Sequence, residues 1–132
     1  MQQNSPFSPS GASYLYCLGG TNENNQNLSS VSRMNLITKE WENLPSMSQS
    51  KYAFGAVVIE DKIYVCGGTD DDETFNNLDV FDCRTNTWTE LSPMLNERCH
   101  FGITTLNGKI YVSGNGNHCS IVEEYSPDTK IW

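Results

Sequence analysis

The residues most capable of chemistry in this chain are two Cys/His pairs, Cys99-His100 and His118-Cys119, and a run of acids, Asp70-Asp71-Asp72-Glu73. Thiolate and imidazole are zinc ligands, but zinc sites space their ligands by about two to four residues so that both reach one ion. Adjacent residues do this poorly, so the pairs predict ordinary loop residues and no metal site. The acid run lacks the alternating ligands and the glycine of a calcium loop. It predicts a solvated acidic loop, and its functional alternative is contact with a basic segment of a partner protein. No Ser-His-Asp ordering, phosphate loop or carboxylate pair placed face to face supports catalysis. The reading is therefore a binding protein without catalytic residues, metal or cofactor.

Such residues need a frame, and the frame is written as a repeat. Leu15-Tyr16-Cys17-Leu18-Gly19-Gly20 returns as Ile63-Tyr64-Val65-Cys66-Gly67-Gly68 and again as Ile110-Tyr111-Val112-Ser113-Gly114-Asn115. Each copy ends on a tryptophan, at Trp41, Trp88 and Trp132. A period of about 47 residues is the mark of a repeat architecture.

Aligned through these positions, the copies read as short strands. Phe54-Gly55-Ala56-Val57-Val58-Ile59 and Phe101-Gly102-Ile103-Thr104-Thr105-Leu106 are β-branched-rich apolar runs. Each leads at once into the Ile-Tyr-Val run, once across Asn107-Gly108, a strong hairpin signal because both central residues must take positive φ. A third strand follows at 31–36, 78–81 and 121–125, and a fourth opens on Trp41 and on Trp88. A threonine three residues before every tryptophan (Thr38, Thr85, Thr129) predicts one turn type joining the third strand to the fourth. A twisted four-stranded sheet cannot cover both of its faces alone. Radial stacking of such sheets gives a β-propeller, with Trp and Tyr filling the seams. The paired glycines read as structural, permitting close backbone approach.

The joint pattern resembles the kelch repeat, most specifically over Asn77–Asp82, Thr85–Trp88, Leu91–Met94, Arg98 and from Gly102 to Gly114. The resemblance implies an all-β fold, an incomplete kelch-type β-propeller of four-stranded antiparallel blades. Its parts are a flexible segment at 1–12, a first blade at 13–49 without an innermost strand, a second at 50–96, and a third at 97–132 that stops inside its last strand. In kelch-like adaptors of cullin-RING ubiquitin ligases the propeller holds the substrate, so the resemblance implies a protein–protein interaction module of that kind. Actin binding is the alternative that kelch proteins of the cytoskeleton suggest, and a propeller enzyme is a remote third.

Length and charge add limits. At 132 residues the chain supplies fewer blades than the roughly 4–8 that close a propeller. It reads as a fragment or truncated relative whose exposed blade edges invite self-association. A net charge of −8 argues against nucleic acid or anionic membrane as partner. No apolar run approaches a bilayer span, and the polar start lacks a signal core. Five cysteines form no disulfide framework, so the expected compartment is a reducing cytoplasm. Cys17 and Cys66, within strands, read as small buried residues.

In a propeller the loops from second to third strand share a face with those leading into the next blade, and binding residues concentrate on such loops. That rim comprises 21–28, 69–77 and 116–119, with 46–53 and 96–100. Lys51 and Arg98 occupy one repeat position, each four residues after a methionine (Met47 and Met94). The resemblance implies that these basic residues grip acidic groups of a partner; the alternative is an ion pair inside the blade. His100 and Asp70, Asp71, Asp72 and Glu73 complete the rim candidates. Gly19, Gly20, Trp41, Gly55, Gly67, Gly68, Trp88, Gly102, Gly114 and Trp132 are read as structural.

Overall fold

Short runs rich in apolar and β-branched residues, bounded by turns, build three antiparallel sheets here. The computed structural model describes residues 12–115 and 120–132. The first sheet holds β1 (Tyr14–Leu18), β2 (Val31–Asn35) and β3 (Trp41–Leu44). The second holds β4 (Gly55–Ile59), β5 (Lys62–Cys66), β6 (Leu78–Asp82) and β7 (Thr87–Leu91) in chain order. The third holds β8 (Gly102–Leu106), β9 (Lys109–Ser113) and β10 (Val122–Tyr125). The fold is all-β, and the sheets are blades of a partial kelch propeller. Where a fourth strand of the last blade is expected, the chain makes a single antiparallel bridge between Ser126 and Ile131.

The turns repeat as the threonines predict. Lys39, Asn86 and Lys130 all adopt left-handed φ, at 63°, 55° and 59°. Each donates its N–H to the carbonyl four residues back, on Asn35, Asp82 and Ser126, at 2.8, 2.8 and 2.7 Å. Asn107 and Gly108 both take positive φ, 51° and 74°, as the β8–β9 hairpin requires.

β5 carries the logic of the packing. Its successive side chains point to opposite faces, and both faces are covered. Ile63 and Val65 join Val31, Leu44, Met47 and Phe81 in the seam with the first sheet. Tyr64 and Cys66 join Ile110, Val112 and Tyr125 in the seam with the third. Tryptophan locks each seam. Trp88 stacks at 5.1 Å on Phe81 and donates its indole N–H to the Pro45 carbonyl of the preceding blade at 2.9 Å. Trp132 repeats this on Tyr125 (5.2 Å) and the Ser92 carbonyl (2.7 Å).

The cysteines divide by which face is covered. Cys66 is fully buried, and burial pushes its thiol up to about 12. Cys17, expected to be buried, is exposed, because its face of β1 lies away from the second sheet. Since only the thiolate reacts, Cys17 is expected to label with iodoacetamide in the native protein, while Cys66 waits for unfolding. Peptide mass mapping that found Cys66 modified as early as Cys17 would contradict the seam.

Candidate rim of the propeller

The loops at one end of the sheets are stitched into a continuous strip by their backbones. Gly20 donates to the Lys51 carbonyl at 3.0 Å, and Lys51 donates to Leu28 at 3.1 Å. Tyr52 and Thr69 exchange a reciprocal pair of bonds, both 3.0 Å. One repeat further on, Gly68 donates to Arg98 (2.8 Å), Arg98 to Phe75 (3.0 Å), and His100 to Ala53 (3.0 Å). Loops from all three blades therefore share one hydrogen-bonded surface.

On that surface the acidic run is organised and not merely solvated. Asp70 folds its carboxylate back onto the N–H groups of Asp72 (3.1 Å) and Glu73 (2.8 Å), closing the loop tip on itself. Asp71 accepts from the Tyr52 hydroxyl at 2.5 Å and from the Asn27 amide at 3.3 Å. The same Asn27 amide donates to the Asp70 carbonyl at 2.8 Å. The hydrogen bond to Asp71 holds the Tyr52 phenol above its ordinary range, with slight burial adding to the effect. His100, exposed, sets its ring edge-on to Tyr52 at 6.1 Å. Asn27, Tyr52, Asp71 and His100 thus come together from three blades, leaving Asp72 and Glu73 exposed at the loop tip.

Lys51 and Arg98 are not on this surface. They are 1% and 0% exposed. Arg98 donates through Nε to Glu123 at 2.9 Å, through Nη1 to the Gly114 carbonyl at 2.6 Å, and through Nη2 to the Ile121 carbonyl at 2.9 Å. Glu123 also accepts from the Leu95 backbone (2.6 Å) and the Asn96 amide (3.3 Å). Lys51 donates to Asn77 Oδ1 at 3.1 Å beneath the rings of Phe54 and Phe75, 5.9 and 5.8 Å away. Burial lowers its amine, and the nearby Asp79 carboxylate opposes that shift. Arg98 therefore ties its loop to Glu123 of β10 and Lys51 ties its loop to Asn77 at the start of β6, which answers the expectation that they grip a partner. A guanidinium with all three nitrogens engaged and no exposed surface has nothing left to offer one.

Sequence reasoning missed Tyr52 and Asn27, which hold the acidic loop, and the acids beneath the cations. The latter had a signal: Asp79 and Glu123 stand at one repeat position, as Lys51 and Arg98 do. His118 and Cys119 lie outside the described residues, as does the 116–119 loop. Among the described residues, no three His, Cys, Asp or Glu side chains gather as metal ligands would.

Stacked antiparallel blades with loop-built rims define a kelch-type module, and comparison with known proteins agrees. Residues 7–132 match the KLHDC2/KLHL20/DRC7 Kelch-repeats domain, and the chain belongs to that kelch-repeat family. Kelch-like protein 41b of Danio rerio is 41% identical over 58 residues, 44% of this chain and 10% of that protein. An F-box/kelch-repeat protein of Arabidopsis thaliana is 38% identical over 70 residues, 53% of this chain and 26% of that protein. Kelch repeat protein C2 of Vaccinia virus (strain Western Reserve) is 43% identical over 54 residues, 41% of this chain and 10% of that protein. The matched segment thus spans from about a tenth to a quarter of these relatives.

Proposed function

We propose that the chain acts in the cytoplasm as the substrate-recognition part of a kelch-like adaptor for a cullin-RING ubiquitin ligase, and not as an enzyme. Kelch domains generally bind proteins. The observation that carries it is the shared rim, where Tyr52 and Asn27 fix an acidic loop beside His100. Rigidly held polar groups on loops lose little entropy when a partner docks. The exposed Asp72 and Glu73 carboxylates fit a basic segment of a partner protein. The net charge of −8 disfavours a polyanion in that place.

The test places a photo-crosslinking residue at Glu73 and, as a control, at Arg84, which lies on the β6–β7 turn. Crosslinks to one cellular protein from Glu73 and not from Arg84 are expected, with loss on Asp72→Lys. The captured protein should accumulate in ubiquitylated form when proteasomes are blocked. Equal capture from both positions sinks the rim. Capture of filamentous actin, with co-sedimentation at physiological salt, replaces the ligase role with a cytoskeletal one.

A further inference from the structure

Charge is partitioned between the two ends of the sheets. The β2–β3, β4–β5, β6–β7 and β8–β9 turns lie at one end of the antiparallel strands, and the rim loops lie at the other. The rim loops carry Glu23, Asp70, Asp71, Asp72, Glu73 and Glu97, all but Asp70 exposed. Lys51 and Arg98 belong to the same loops, but both are buried and engaged by Asn77 and Glu123. Every other lysine and arginine lies away from the rim. Arg33 is within β2, and Lys39, Lys62, Arg84, Lys109 and Lys130 stand at the turns of the opposite end.

At that opposite end the charges balance. Lys39 adjoins Glu40, Lys62 adjoins Asp61, and Arg84 and Lys130 each follow an aspartate by two residues, Asp82 and Asp128. Lys109 pairs with Glu124 at 2.7 Å, and Arg33 with Glu42 at 2.8 Å. Most of the net charge of −8 therefore sits on the rim. Blades meet through their sheet faces, whereas the rim lies at the strand ends, so a neighbouring blade extends it and does not bury it.

The rim acids are strung out and do not converge. Among the described residues, no three carboxylate, thiol or imidazole groups gather around one point as metal ligands would. Asn27, in the loop of Glu23, donates to the Asp70 carbonyl at 2.8 Å. Thr74, just past Glu73, sets its hydroxyl 3.9 Å from the Cys99 sulfur, two residues beyond Glu97. A spread row of carboxylates with no exposed Lys or Arg among them fits a row of cations and not a single ion. This chain has no two adjacent Lys or Arg residues to supply such a row to a second copy of itself.

Taking the rim as the binding surface, we propose that its occupant is an extended Lys/Arg-rich segment of a partner protein. The segment runs from Glu23 across Asp71–Glu73 to Glu97, over loops of successive blades. The summed field of the rim draws such a segment in and repels acidic competitors. Screening sets in beyond about 8 Å at physiological ionic strength, so the attraction weakens steeply with salt.

The probe is a fluorescent peptide of six Arg-Ser repeats, with a second peptide of equal length carrying a single Arg. One variant neutralises the rim with Glu23→Gln, Asp72→Asn, Glu73→Gln and Glu97→Gln. A control variant removes the same charge elsewhere, with Glu40→Gln, Glu60→Gln, Glu90→Gln and Asp128→Asn. Near-UV circular dichroism from the Phe81–Trp88 and Tyr125–Trp132 pairs verifies that both are folded. Affinity for the six-repeat peptide should fall about 10-fold or more in the rim variant, together with most of its salt dependence, and hold within about 2-fold in the control. Equal losses in the two variants would mean that net charge and not the rim attracts the peptide, which overturns the proposal. Equal affinity for the single-Arg peptide reduces the row to one contact and overturns it as well. A partner crosslinked from Glu73 through a segment without basic residues overturns the polybasic occupant and leaves the rim standing as a binding surface. Absence of both crosslink and peptide binding removes the two together.

Discussion

Replacing Glu123 with alanine is expected to cost about 3–5 kcal/mol, the usual penalty for leaving one member of a buried ion pair uncompensated. The Arg98 guanidinium has no exposed surface and cannot turn to water. Glu123 also satisfies the Leu95 N–H and the Asn96 amide, so its loss orphans more than one donor. Removing a buried acceptor costs the desolvation of every group that relied on it. For a domain with a stability of roughly 5–15 kcal/mol, this is a large fraction of the total. The double variant Arg98→Met, Glu123→Leu should recover only the part of the loss that comes from the uncompensated charge, because the Leu95 N–H, the Asn96 amide and the Gly114 and Ile121 carbonyls stay without their partners. Urea unfolding of the single and double variants reads both effects. A cost below about 1 kcal/mol for Glu123→Ala would mean that water already reaches the pair, as at an exposed ion pair. Arg98→Lys should also destabilise, because an ammonium cannot reproduce the fork that reaches Glu123, Gly114 and Ile121 together.

That prediction locates the boundary of what the sequence made legible. The strands, the hairpin at Asn107-Gly108 and the recurring turn before each tryptophan follow from local pattern, which is set by side-chain period and by φ at single residues. The family assignment follows from the same pattern. The destination of Lys51 and Arg98 does not, because it depends on what lies across a seam. A cation in a loop is a rim contact where it meets water and a latch where it meets a buried carboxylate, and the two readings share one local sequence. Only the paired recurrence of Asp79 with Lys51 and of Glu123 with Arg98 distinguishes them. Cys17 shows the converse. Its place in an apolar strand suggested burial, but β1 is covered on one face only, and residues 15 and 17 share the other. The rim itself was half legible. The acidic run and His100 were visible as loop residues, whereas Tyr52 was hidden because its partners, Asp71 and His100, come from different blades.

The second large effect concerns glycines that the repeat makes equivalent and the packing makes unequal. Gly67 and Gly114 occupy one repeat position, with φ of 63° and 85°, so alanine is strained at either by about 1–2 kcal/mol. Their surroundings differ. A Cβ at Gly67 would lie 3.0 Å from the Phe101 ring and 3.2 Å from the Met94 methyl, and closer still to the Arg98 carbonyl oxygen. That carbonyl cannot yield, because it accepts the Gly68 N–H at 2.8 Å and belongs to the loop that Glu123 anchors. At Gly114 no described atom lies within 4 Å of the added carbon. Gly67→Ala is therefore expected to cost about 4 kcal/mol or more, in the range reserved for identifiable steric or network failures. Gly114→Ala should show the backbone strain alone. The difference between the two, from paired urea titrations, measures how rigidly the third blade's entry loop is pressed against the second. Equal costs would mean that the Arg98 loop moves aside freely, and a loop that free could not hold His100 and Tyr52 together as a rim.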